Sequence, residues 1–298
     1  AGELVPALEC FSAVANGTAQ MGHDGAYYHT GKSEGCAFFT AFPFGFTADE
    51  MQAWVMYGNG QQLWDELYAP FGIRGFLAGS TGTQMLGWFK REIRSLSDLE
   101  GLKFRAPGNQ GRVLQKLGVT PVSLAGGDIY PALQSGAIDG AEWIGPYNDL
   151  ALGFYQVCKY YYAHGYHEPG AALQLMINEA AWRTLTPELQ SIVKAACAQA
   201  YTDMLAEFNA RSGPALRTLV QKHGVIVRAL PEEVLLACGE KSNEVLNEIY
   251  AADRSPNRIV QRIIEDFLAF REQVMPWTRI CEQAFLNARR LPFEFRLR

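Results

Sequence analysis

Positive charge is what this chain runs short of first. Its 26 Lys and Arg face 31 Asp and Glu, for a net charge of −5. That removes a basic face for nucleic acid and a polybasic tail for a membrane surface. Apolar runs are short as well, and none reaches the ~18 residues that a helix needs to span a bilayer. Six cysteines stand at 10, 36, 158, 197, 238 and 281. No two are spaced Cys-x-x-Cys, which argues against zinc ribbons and thioredoxin-type redox chemistry. Their even number leaves disulfides open, although Cys197 and Cys238 lie in Ala/Leu-rich stretches of helical pattern, where a small buried thiol is commoner. Also missing are a P-loop, a dinucleotide fingerprint, a nucleophile elbow and a His-Glu-x-x-His helix. There is no tandem repeat, no low-complexity tract and no single linker that halves the chain. The opening Ala1-Gly-Glu-Leu-Val-Pro6 has neither an initiator Met nor a charged leader. It reads as the middle of a fold, with a signal peptide and a first segment expected upstream.

What remains is globular. The chain is 48% hydrophobic and 19% charged over 298 residues, enough for two domains of ordinary size. Aromatics make up 12%, with six Trp, which suits a ligand cleft or simply a large core. Helical spacing covers residues 3–16, and 21–28 read as turns. Thr47 caps a helix starting at Asp49, with Met51, Trp54, Val55 and Leu63 on its apolar side. Residues 72–77 read as a strand, followed by a polar, flexible stretch over 79–84. Between 97 and 142 the pattern is strand–helix–strand–helix–strand, at 102–105, 109–117, 120–124, 128–134 and 138–142, led in by a capping-box turn at 97–100. Connections this short imply parallel strands, and ligands sit at the carboxyl ends of such strands. Further strands are expected at 159–162, 171–177 and 225–230. Helices are expected from Thr186, from Pro231 and over 257–290, the last kinked or broken at Pro276.

Residues 137–149 are the most informative stretch. Glu142 and Trp143 end a short strand, and Gly145-Pro146 break the backbone just after. A carboxylate and an indole there suit a small ligand or a hard cation better than a core, because Glu is seldom buried without a partner. Arg105 ends another strand of the same block, so the two side chains could face one cleft. His164 and His167 beside Glu168 bring zinc to mind, but the segment is a Gly/Pro turn and the spacing alone says little. Asp139 and Glu142 with five His would allow acid–base catalysis. Asp139 reads better as tightening the turn before Gly140.

Ordered motifs then point to a family. Gly101-Leu-Lys-Phe-Arg-Ala-Pro-Gly108, Leu117-Gly-Val-Thr-Pro-Val-Ser123, Asp128-Ile-Tyr-Pro-Ala-Leu-Gln-Ser-Gly-Ala-Ile-Asp-Gly-Ala-Glu-Trp143 and Gly145-Pro-Tyr-Asn-Asp-Leu-Ala-Leu-Gly-Phe154 resemble the substrate-binding subunit of tripartite ATP-independent periplasmic (TRAP) transporters. Gly82-Thr-Gln-Met-Leu-Gly-Trp88 and Tyr166-His-Glu-Pro-Gly170 are similar to the branch that carries 2-oxo acids, lactate and related monocarboxylates with a bound metal ion. The resemblance covers nearly the whole chain. It departs at the start, where roughly forty residues of a first strand and helix are expected to be missing, and at Ala125, where the family often has Pro.

The resemblance implies an α/β, two-lobed periplasmic binding protein of the type II-like, Venus-flytrap kind with a long kinked C-terminal helix. Lobe I would comprise 1–82 with 169–208, lobe II 83–168 with 209–256, and 257–298 would form the C-terminal helix. Arg105 would bind the ligand carboxylate through two parallel hydrogen bonds, while Arg91, Arg94 and Arg112 fit a solvated surface. Gln84, Glu142 and the Trp143 carbonyl would hold Na⁺ or Ca²⁺, hard cations that take oxygen donors. Glu168 is either a second carboxylate for the metal or a cap for the turn before Pro169. The Trp143 ring would meet the carbon chain of the ligand, with Asn109, Asn148, Tyr28 and Phe44 as further lining. The expected role is delivery of a 2-oxo or 2-hydroxy monocarboxylate to a TRAP membrane permease, in the periplasm, without catalysis. A homodimer through the C-terminal helix is expected too. The alternative is a metal-dependent enzyme acting on small carboxylic acids.

Overall fold

Two sheets share the chain, which passes between them several times; the computed structural model describes residues 2–255 and 257–292. α1 (Cys10–Ala15) leads into β1 (Met21–Asp24). α2 (Ala48–Tyr57) and α3 (Gly60–Tyr68) precede β2 (Ile73–Gly82). The chain then crosses to a second sheet through β3 (Gly87–Phe89), β4 (Lys103–Arg105), α4 (Gly108–Gln115), β5 (Thr120–Val122), α5 (Gly126–Ser135), β6 (Gly140–Ala141), α6 (Pro146–Leu152) and β7 (Tyr160–Tyr162). It returns with β8 (Ala171–Asn178) and α7 (Glu179–Arg183), spans both halves with α8 (Pro187–His223), adds β9 (Ile226–Arg228), and ends in α9 (Glu232–Ala252) and α10 (Ile259–Thr278).

The first sheet is antiparallel, in the order β1-β8-β2. The second runs β5-β4-β6-β3-β7-β9. In it β4 is parallel to both β5 and β6, as the alternating block implied, while β3 runs antiparallel to β6 and β7. The strands expected near 160 and 171 fall in different sheets, so the intervening turn is a crossing between the halves.

Several local expectations shift. Residues 21–24 are a strand, not turns, paired from Met21↔Ile177 to Asp24↔Gln174. Met-Gly-His-Asp has little intrinsic strand preference, so the partner decides. Gly22 lets α1 lie against it, since a Cβ there would sit 2.5 Å from Cys10 Sγ. The polar stretch after Leu77 is the buried continuation of β2. α8 passes so close over it that a Cβ on Gly79 would meet Met204 Sδ at 2.6 Å. The helix begun at Thr47 has the full capping box with Glu50 but divides at Gly58. The capping box expected at 97–100 belongs to Ser95 and Asp98. The first helix shrinks to α1, behind a short turn at Ala7–Glu9. α10 runs through Pro276 without breaking, and the register widens into a π-turn at Arg279–Gln283 before Ala284–Ala288.

Most tryptophans serve the core. Phe39 stacks on Trp54 and Trp64 at ring distances of 5.3 and 4.5 Å. α10 seals this side with Ile259, Val260, Ile263, Ile264 and Phe267, while Asp266 accepts from Trp54 Nε1 at 2.7 Å. Fully burying each such side chain stabilises by ~2–3 kcal/mol. All six thiols are free, with Cys197 and Cys238 buried in α8 and α9.

Candidate functional site

Two crossings between the sheets run side by side, and they carry oxygen-rich side chains. The β2–β3 crossing holds Gln84; the β7–β8 crossing holds His167 and Glu168. The Gln84 N–H donates to the Glu168 carbonyl at 3.1 Å. The approach needs a glycine, since a Cβ on Gly165 would lie 2.0 Å from the Gln84 carbonyl oxygen. Arg105 closes β4, and Glu142 follows β6 with its N–H bonded to the Arg105 carbonyl at 3.2 Å. A short turn after β1, Ala26–His29, presents Tyr27 and Tyr28 from the other half.

Arg105 is 1% exposed and nearly all its donors are engaged. Nε donates to the Leu124 carbonyl at 3.2 Å, Nη1 to the Glu142 carbonyl at 3.1 Å and to Glu142 Oε1, and Nη2 to the Tyr28 hydroxyl at 3.2 Å. Trp143 lies over the guanidinium at 5.2 Å. Burial alone would lower its pKa, but the Glu142 carboxylate together with Tyr28 and Tyr27 offsets this and leaves it raised. Burial and then the charge of Glu168 push the Tyr27 hydroxyl well above its usual range, so it stays a neutral donor.

The carboxylates are the anomaly. Glu142 is 0% exposed and Glu168 4%. One oxygen on each, Glu142 Oε2 and Glu168 Oε2, has no hydrogen-bond partner, and neither has Gln84 Oε1. Burial, then the neighbouring Glu142, drive the Glu168 carboxyl well above its ordinary value, with Arg105 pulling the other way. Buried acceptors without donors cost ~1–3 kcal/mol each. An all-oxygen set with two carboxylates fits a hard cation, which would satisfy these atoms at once. His167 joins the group: single ligand atoms from Glu142, His167 and Glu168 lie within 4.8 Å of one another.

Two cavities flank this cluster. One, about 360 Å³, is lined by Tyr27, Tyr28, Asn109 and Arg112, the other, about 450 Å³, by Tyr28, Gly126 and Trp143. Arg105 and Glu142 lie behind these walls. Two contacts bridge the halves here, Arg105 to Tyr28 and Arg112 to Glu34 at 3.1 Å.

The structure thus brings Arg105, Gln84, Glu142, Trp143, Glu168 and Tyr28 together. Asn109 Nδ2 and Asn148 Oδ1 are buried without partners, the former on the cavity wall. Phe44 stands apart, its ring stacked on Tyr166 at 5.0 Å and its carbonyl accepting from Arg271 Nε at 3.0 Å. The His164–His167 pair is split: His164 is exposed and His167 buried. Tyr27 is the residue that the sequence did not single out, although it adjoins Tyr28; His167 was weighed there only with His164 as a zinc pair, and stands here beside Glu142 and Glu168 instead.

Known proteins resemble this chain in sequence and fold. The chain is 42% identical over 287 residues to a monocarboxylate 2-oxoacid-binding periplasmic protein of Nostoc, covering 96% of this chain and 78% of that one. A TRAP transporter solute-binding protein of Bordetella bronchiseptica, described with copurified calcium and picolinate, superposes with a TM-score of 0.93 at 40% identity, covering 96% and 84% of the two chains. A counterpart from Pseudoalteromonas atlantica with bound sodium and pyruvate gives 0.90 at 39%, covering 96% and 85%. No described helix is long and apolar enough to cross a membrane. The metal-dependent enzyme is set aside, since the relatives are binding components of transporters. Residues 1–253 match the bacterial extracellular solute-binding proteins of family 7, and the chain belongs to that family.

Proposed function

We propose that this chain binds a small 2-oxo or 2-hydroxy monocarboxylate together with Na⁺ or Ca²⁺ in the periplasm, and hands it to the membrane permease of a TRAP transporter. The observation that carries this reading is the set of three unpartnered buried oxygens, on Gln84, Glu142 and Glu168, beside a buried guanidinium. Gln84, Glu142, Glu168 and the Trp143 carbonyl would hold the cation. Its charge would let an anion rest beside two carboxylates. Arg105 and Tyr28 receive the ligand carboxylate, Trp143 offers a flat wall to its carbon chain, and Asn109 and Asn148 complete the lining. The relatives with pyruvate and sodium or with picolinate and calcium support this choice of ligand and ion.

Access requires motion. Arg105 and Glu142 are sealed, so the halves part to admit the ligand and close over it. The test is calorimetry with pyruvate in the presence of Ca²⁺ or Na⁺. Arg105→Ala is expected to weaken binding at least ~100-fold, the usual range for removing one side of a buried charged contact. Full affinity in a folded variant would overturn the assignment.

We infer a homodimer through the C-terminal helix as well. Past its buried face, that helix exposes Trp277, Ile280 and Phe285, at 63%, 70% and 62%. Large apolar side chains gathered at one end favour an interface.

A further inference from the structure

His167 has no role in a site made only of oxygen donors. Its ring is 2% exposed, and neither nitrogen has a partner. A buried polar ring left unpaired asks for an explanation. Glu142 Oε2 lies 3.7 Å from Nε2. That is too long for a hydrogen bond. It is the right spacing for two donors on one ion, because ligands each ~2.1 Å from a cation lie roughly 3–4 Å apart. Glu168 supplies a third atom within the same 4.8 Å span. The segment is also held in place: Gly165 packs on the Gln84 carbonyl, and the Glu168 carbonyl accepts the Gln84 N–H.

We propose that His167 is a nitrogen ligand, and that with Glu142 and Glu168 it lets this site take a borderline divalent transition cation of the Mn²⁺–Co²⁺–Zn²⁺ class as well as the hard cations. The inference rests on the cation-site reading above and adds the imidazole to it. Na⁺ and Ca²⁺ draw on carboxylate and carbonyl oxygens. An imidazole between two carboxylates suits the first-row divalent ions. Bound through Nε2, the ring keeps its proton on Nδ1, which gives the ligand a signature of its own.

Co²⁺ is the probe, added to the full chain without any carboxylic acid. The wild-type protein is expected to develop visible absorption bands and one hyperfine-shifted N–H proton resonance that disappears in D₂O. Excess Ca²⁺ removes both, which locates the ion at the shared site rather than at a thiol. His167→Gln is expected to lose the N–H resonance and to bind Co²⁺ at least ~tenfold more weakly. Ca²⁺-displaceable Co²⁺ binding without the shifted resonance overturns the proposal, as does unchanged Co²⁺ affinity in His167→Gln. If the chain binds Ca²⁺ and pyruvate but not Co²⁺, the imidazole ligand falls while the transport reading stands. Should it bind neither cation, both fall together. The wild-type resonance decides the matter even where the variant folds poorly.

Discussion

Trp143 depends on a residue that carries no side chain. A Cβ on Gly126 would lie 2.4 Å from the Trp143 ring, so only glycine at this first turn of α5 lets the indole lie over Arg105. Gly126→Ala is therefore expected to displace the ring and weaken pyruvate binding about tenfold, in line with the ~1–2 kcal/mol of a partly desolvated cation–π contact. Helix propensity favours alanine, so the melting temperature should hold. Calorimetry alongside a thermal melt checks this, and unchanged affinity would remove Trp143 from the ligand's surroundings. Arg105 and Glu142 could be singled out from residue type and strand-end position, Gln84 only through the resemblance, and Glu168 was left between a metal ligand and a turn cap. Tyr27 was not singled out, and His167 was weighed only in a pair with His164. That these side chains gather in one place depends on the crossings between sheets, which no local pattern encodes. Phe44 shows the opposite error, an aromatic near the right place whose ring is taken up by Tyr166.

Among the elements, β3, β7 and the start of α6 are tied by one buried carboxylate. Asp149 accepts from Trp88 Nε1 and the Tyr161 hydroxyl, both at 2.8 Å, and from the backbone N–H groups of Ile144 and Gly145. Burial pushes its carboxyl up to about 7 even though these four donors pull it down. A value raised above that of the unfolded chain means the folded form holds the proton more tightly. This group's contribution is thus complete below about pH 4 and fades as pH rises through 7. Asp149→Asn puts an amide where four donors converge and should cost ~2–4 kcal/mol. Its deficit against wild type is expected to be larger at pH 5 than at pH 8, measured by urea unfolding at both; a deficit that grows with pH would reverse the assignment. Elements with strong local signals were readable: the Thr47 and Thr186 caps, the left-handed Gly136, and the alternation from β4 to β6. β1 and the far half of β2 were not. Their extended shape comes from pairing with β8 and from the press of α8, which no local pattern encodes.

For the whole molecule, the order of chain crossings is the organising fact. Motifs spread over nearly the whole chain made the two-lobed architecture readable. Residues 160–162 and 171–178 pair in different sheets; the lobe bounds that the resemblance implied put a boundary between them, whereas their own apolar pattern, alike in both, did not. The crossing that carries His167 and Glu168 therefore runs between the two sheets. The C-terminal helix belongs to this scale too. Its first half is fastened to the core by Ile263, Ile264 and Phe267 and by Asp266, which accepts from Trp54. Beyond Phe270, Arg271 and Val274, which still touch the body of the protein, its far end is held among the described residues by Thr278, whose hydroxyl donates to Glu50 at 2.6 Å, yet it exposes Trp277, Ile280 and Phe285. A helix so well seated at one end and so apolar at the other fits exchange between two copies. Ending the chain after Arg271 should leave the buried face intact and yield monomers by light scattering, with the melting temperature lowered by no more than the ~2–4 °C that 1 kcal/mol represents in a domain of this size. A shortened chain that remains dimeric would place the interface elsewhere, and a full-length chain that is monomeric at micromolar concentration would end the exchange reading outright.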